Sequence, residues 1–123
     1  MKKLFLSAAF IMCFSILFAQ NNKNMVQRSH LRFPGKVLSN ICGYVDSLGN
    51  EYALVGTSTG MTIVDVTDPG NIFTVASFVG PNSIWREIKT WQNYAYVTTE
   101  GGGGLSIVDL RNLPGTNLPS QNW

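Results

Sequence analysis

The chain is short of the groups that do chemistry. Charged residues occupy 13% of its 123 positions, and it has one histidine, His30, and two cysteines, Cys13 and Cys42. A single histidine excludes histidine-based metal centres and catalytic triads, which need partners of the same kind or an adjacent nucleophile. His30 is expected in solvent. No segment beyond residue 36 carries the 3.6-residue apolar period of an amphipathic helix, so helical repeats are excluded. With 45% hydrophobic residues the chain is too apolar for a disordered tail, and at this length it holds one small globular unit at most. What it has in quantity is glycine: twelve, all beyond position 34. Abundant glycine without helical periodicity favours short strands joined by tight turns.

The one long apolar run lies at the start. Lys2 and Lys3 precede an apolar or small stretch from Leu4 to Phe18, followed by Ala19, Gln20 and the polar residues Asn21 to Asn24. This is the pattern of a secretory signal peptide over 1–19. Fifteen residues in a helix span roughly 22 Å, short of the ~30 Å hydrocarbon core, which disfavours a permanent anchor. Ala19 is the expected cleavage position, with Gln20 the alternative. Cys13 follows Met12, where a lipoprotein signal needs a small residue. Cleavage leaves Cys42 as the only cysteine, so no intramolecular disulfide can form, and its strand-like neighbours mark it as a small buried hydrophobe. Removing Lys2 and Lys3 leaves seven basic residues against seven acidic ones. A mature chain with no net charge has no electrostatic basis for binding nucleic acid or an anionic membrane.

Beyond the leader the sequence repeats. Tyr52-Ala53-Leu54-Val55-Gly56-Thr57 aligns with Tyr94-Ala95-Tyr96-Val97-Thr98-Thr99 at an offset of 42, and Gly60-Met61-Thr62-Ile63-Val64-Asp65 aligns with Gly104-Leu105-Ser106-Ile107-Val108-Asp109 at 44. The second copy therefore carries two extra residues in its glycine-rich turn. A period of this length with β-branched strands fits the four-stranded blade of a β-propeller. Turn chemistry predicts strands at 41–46, 51–57, 61–66 and 72–79, then 85–90, 94–100 and 105–110, with the second copy lacking a fourth strand. The expected organisation is a leader over 1–19, a polar segment over 20–36, a first blade over 37–82, an incomplete second blade over 83–113 and an irregular tail over 114–123. Consecutive apolar residues at Ala53-Leu54-Val55 and Ile63-Val64 predict sheets covered on both faces. About two blades cannot close a ring of four to eight, so the chain is expected to be part of a larger ring whose neighbouring blades cover it.

Ile63-Val64-Asp65 and Ile107-Val108-Asp109, each preceded by Tyr-Ala-x-Val, resemble the LVIVD repeat of microbial surface propellers. Together with Ser83-Ile84-Trp85-Arg86-Glu87-Ile88-Lys89, the region Val37 to Leu113 resembles the N-terminal part of the choice-of-anchor B family. The resemblance implies an exported, all-β, antiparallel propeller at the cell surface or outside it.

Few residues are candidates for a site. Gly101 to Gly104 precede a β-branched segment rather than a helix N-terminus, which removes the nucleotide-loop reading. Asp65 and Asp109 recur at the same strand end, where a carboxylate closes a turn by accepting backbone N–H groups. Asp65 with Asp68 is too small a set for Ca²⁺, so neither metal nor cofactor is expected. Trp85, Arg86, Glu87 and Lys89 form the one charged cluster within a predicted strand, with Glu100 close by. Alternation places Arg86, Ile88 and Thr90 on one face and Glu87 and Lys89 on the other. One reading puts Arg86 and Glu87 in an ion network between blades, with Trp85, Trp91 and Tyr94 packed between sheets. The other makes the cluster a site for a protein partner or extracellular ligand.

No nucleophile, base and orienting group occur together, so the expected function is a non-enzymatic interaction module. The alternative is a secreted hydrolase whose channel site is completed by blades outside this chain. Export is expected to remove residues 1–19, so mass spectrometry of the exported protein should find Gln20 or Asn21 first. A membrane-bound form that retains Met1 refutes the leader.

Overall fold

The computed structural model describes residues 24–123. The expected leader over 1–19, with Cys13, Ala19 and Gln20, lies outside the described residues. Eight strands follow one another: β1 (Leu38–Val45), β2 (Glu51–Thr57), β3 (Gly60–Asp65), β4 (Phe73–Val79), β5 (Arg86–Trp91), β6 (Tyr94–Thr99), β7 (Ser106–Asp109) and β8 (Ser120–Asn122). There is no helix among the described residues. Each half is an antiparallel four-stranded meander, β1-β2-β3-β4 and β5-β6-β7-β8. The fold is all-β.

The strand ends follow the turn chemistry. Ser58 and Thr59 make a two-residue hairpin between Thr57 and Gly60, and the turn before β2 is built on Asp46. Its carboxylate accepts bonds from Leu48 N at 2.8 Å, Asn50 N at 2.9 Å, Asn50 Nδ2 at 2.8 Å and the Tyr52 hydroxyl at 3.1 Å. Burial works against the charge on Asp46, but these four donors outweigh it and hold the carboxyl below the usual range. In return, burial first and the bond to Asp46 second push the Tyr52 phenol up to about 12.

The second repeat corrects the expectation of a missing strand. Ser120, Gln121 and Asn122 pair antiparallel with Val108, Ile107 and Ser106, so the segment expected as an irregular tail contains β8. Nothing in those three exposed polar residues signals a strand, because an edge strand held by its ladder needs no apolar face. Before it, Leu113 and Leu118 turn inward and are buried in the core. Gly104 shows why the two repeats share this feature. A side chain there would strike the Trp123 carbonyl, as one at the aligned Gly60 would strike the Phe78 carbonyl, and both glycines have positive φ. Each lets a fourth strand cross the start of the third.

The sheets stack face to face. Tyr52, Leu54, Met61 and Ile63 of the first sheet pack against Ile88, Ala95, Val97 and Val108 of the second in one cluster. Register pairs Ile63 with Ala76 and Val64 with Thr74, leaving Val75 as the extra residue of a bulge that sends it into this core. Val55, Thr57, Thr62 and Val64 occupy the opposite face of the first sheet and are buried as well. That face is spanned by residues 29–37, tethered at both ends. Ser29 Oγ donates to the Pro69 carbonyl at 2.8 Å, while Ser58 N donates to the Val37 carbonyl at 2.8 Å and Val37 N to Ser58 Oγ at 3.2 Å. The consecutive apolar residues at Leu54-Val55 and Ile63-Val64 thus have cover on both sides.

Leu54 is wholly buried between the sheets, so Leu54→Ala leaves a cavity there. Urea unfolding should show a loss of about 2–5 kcal/mol. A loss within error of zero would mean that the two sheets do not share this core.

Candidate functional site

The five residues read as one cluster do not act as one. In β5 the burial alternates, with Arg86 and Ile88 buried and Glu87 and Lys89 exposed. Arg86 is 6% exposed, enters the space between the two sheets, and lies in neither of the two ion pairs among the described residues. Its Nε donates to the Thr57 carbonyl at 3.0 Å and its Nη2 to the Pro81 carbonyl at 2.7 Å. The ion network expected for it is corrected accordingly: two backbone oxygens of the first sheet and the linker replace the carboxylate. Desolvation by burial lowers the Arg86 pKa from its ordinary value.

Glu87 faces away from that space. Its carboxylate accepts from Lys89 Nζ at 2.7 Å and from Asn40 Nδ2 at 3.1 Å, which joins β5 to β1. The bond and charge of Glu87 raise the pKa of Lys89. Both side chains are solvated, so the pair adds little stability. Two more contacts extend this seam, from the Tyr44 hydroxyl to Asn93 Oδ1 at 3.2 Å and between Cys42 Sγ and Thr90 Oγ1 at 3.7 Å.

Trp85 and Trp91 are 66% and 63% exposed, which corrects their expected packing between sheets. Trp85 sits one residue before β5, where Ser83 Oγ accepts from its N–H and the Ser83 and Thr99 hydroxyls donate to its carbonyl. Glu100 is exposed in the turn after β6 and takes no hydrogen bond from a described residue. Tyr94 is half-buried on the face turned away from the first sheet, with the Arg111 guanidinium 5.7 Å from its ring centre. His30 is exposed on the N-terminal segment.

Asp65 and Asp109 occupy matching positions in the two repeats. Asp65 Oδ1 accepts from Thr67 N at 2.9 Å, and Asp109 Oδ1 from Arg111 N at 3.0 Å. Asp109 is also gripped by the Arg111 side chain, whose Nε lies 3.0 Å from both carboxylate oxygens. That side-chain bond is the main reason its carboxyl is held below the usual range. No group of three or more His, Cys, Asp or Glu side chains converges as a metal site among the described residues.

The repeat alignment also identifies an open face that the charged residues did not reveal. Tyr52, Leu54 and Ile63, buried against the second sheet, align with Tyr94, Tyr96 and Ile107. These three lie on the far face of the second sheet and are half-buried, with Trp91 and Trp123 exposed nearby. The opposite faces correspond in the same way, Ala53, Val55 and Val64 aligning with Ala95, Val97 and Val108. The two sheets therefore stack head to tail, like successive members of a repeat array.

Asp46 and Asp109 both ionise below the ordinary carboxylate value of 3.8 in the folded chain. A depressed folded pKa gives stability that is complete above the unfolded value and is lost as pH falls through the folded one. The melting temperature should hold from neutrality to about pH 5 and fall below about pH 4. Asp46→Asn with Asp109→Asn should flatten the acid limb, and an unchanged limb would show that these bonds do not set it.

No curated protein and no solved structure matches the chain. Residues 47–79 and 86–118 each match the LVIVD repeat. The two matches fall one on each sheet, cover the aligned Ile-Val-Asp strands and together span more than half of the chain, which therefore belongs to the LVIVD repeat family.

Proposed function

We propose that the chain is part of an exported β-propeller of the choice-of-anchor B type, working outside the cell as a non-enzymatic interaction module. The observation that carries this reading is the head-to-tail stacking of two blade-like sheets with one matching face left open. Tyr94, Tyr96 and Ile107 stand where their counterparts Tyr52, Leu54 and Ile63 meet the next sheet. An open face of this make-up is an association surface, because soluble monomers seldom leave a large contiguous apolar patch in water. The other end of the stack differs, since residues 29–37 lie across the first sheet. Association is thus directed to one side.

The side chains that meet solvent favour binding over catalysis. Trp91, Trp123, Tyr94 and Tyr96 offer large rigid surfaces with polar edges, the kind enriched in contact sites. Glu87 and Lys89 neutralise each other, and Asp109 is held by Arg111.

Sedimentation of the purified chain tests the open face. Wild type should associate increasingly with concentration, whereas Tyr96→Lys with Ile107→Lys should remain a single monomeric species with an unchanged melting temperature. A wild-type chain that stays monomeric throughout, indistinguishable from the double variant, refutes the reading.

A further inference from the structure

Among the described residues Arg86 is a cation without a counter-ion. Its side chain is largely buried between the sheets, and no carboxylate pairs with it among the described residues. Burying a charge in this way is costly unless an opposite charge compensates it. Two carbonyl oxygens give partial relief, and the way they bind decides what remains free. Nε and Nη2 form the side-on edge of a guanidinium, and both point to carbonyls, of Thr57 and Pro81. The end-on edge, Nη1 with the second hydrogen of Nη2, donates to no described residue. Two parallel N–H groups in a plane match the two oxygens of a carboxylate.

The space beside it suits such a ligand. Arg86 lines a cleft of about 110 Å³ between the sheets, against the ~10–15 Å³ that one water needs on the same measure. The cleft walls are Met61, Phe78, Val97 and Val108, with Ser106 and Asn122 at one side. Gly102, Gly103 and Gly104 border it, all at positive φ and exposed, so this border carries no side chains. This is the turn in which the second repeat carries its two extra residues. Arg86 is the only charged residue of the lining, so its single positive charge suits a monoanion better than a phosphate dianion.

From this geometry we infer that the cleft binds a small monocarboxylate, its two oxygens end-on to the Arg86 guanidinium and its short apolar body against Met61, Phe78 and Val97. This goes beyond the interaction-module reading and does not depend on it, because the open face of the second sheet lies on the other side of β5–β8. Binding compensates the buried charge without breaking either carbonyl bond. The neutral amide of the same acid fits the walls but presents an N–H group to a donor edge, so it is rejected.

Titration of the full chain with butyrate, followed by ¹⁵N NMR of the Arg86 Nε–H and the Gly102 to Gly104 amides, tests this. Butyrate should give saturable shifts at these signals, with butyramide and sulfate each binding at least about tenfold more weakly. Arg86→Ala removes a buried side chain and two hydrogen bonds and is a poor probe if it unfolds the chain. Ser106→Leu instead fills the cleft and leaves Arg86 in place. It should weaken butyrate binding at least about tenfold while the melting temperature stays within a few degrees. The inference is overturned by the absence of saturable shifts with butyrate, by equal binding of butyramide, by sulfate binding as tightly as butyrate, or by a folded Ser106→Leu chain that binds as wild type does.

Discussion

A β-sheet with apolar residues on consecutive positions has two faces to cover, and that demand organises this chain. Leu54 and Val55 are neighbours in β2 and point to opposite sides, as do Ile63 and Val64 in β3. One side of the first sheet is closed by the second sheet through Tyr52, Leu54, Met61 and Ile63. The other is spanned by residues 29–37, pinned at Pro69 and at Ser58. The second sheet inherits the same problem through its aligned residues and meets it on one side only. Stacking is therefore built into the repeat, and the difference between the two ends comes from a segment outside it.

The three charges of β5 have different tasks. Glu87 and Lys89 stay in water at the edge where β5 meets β1, while Arg86, one position away, is carried to the opposite face by the pleat and buried between the sheets. The period of two in a strand separates residues that adjoin in sequence. Arg86 then serves as a clasp between the first sheet and the linker to the second. Its planar shape lets one edge hold both Thr57 and Pro81.

Turns show how the repeat keeps its outline while its details change. Asp65 and Asp109 each accept the backbone N–H two residues on, yet the residue that supplies it is Thr67 in one copy and Arg111 in the other. The arginine adds a second hold on its carboxylate and covers Tyr94. Gly60 and Gly104 are the stricter requirement, since a Cβ at either would meet the carbonyl of the crossing fourth strand. The recurrence of glycine at that position was a sign of β8 available in the sequence, and the polar composition of Ser120 to Asn122 concealed it.

The sequence by itself determined the first seven strands, the repeat and the need for cover on both faces, because alternation, turn chemistry and the Ile-Val-Asp recurrence are local properties that a strand displays wherever it lies. It also placed Arg86 and Glu87 on opposite faces, which follows from the pleat alone. Only the tertiary structure decided what each face meets. That Arg86 would find carbonyls rather than a carboxylate, that Trp85 and Trp91 would stand in solvent, that a bulge would turn Val75 inward, and that residues 29–37 would lie across the first sheet all depend on contacts between segments far apart in the chain. Such contacts are selected by shape and by the hydrogen-bond groups left over after the sheets have formed, and neither is written in the local pattern of residues.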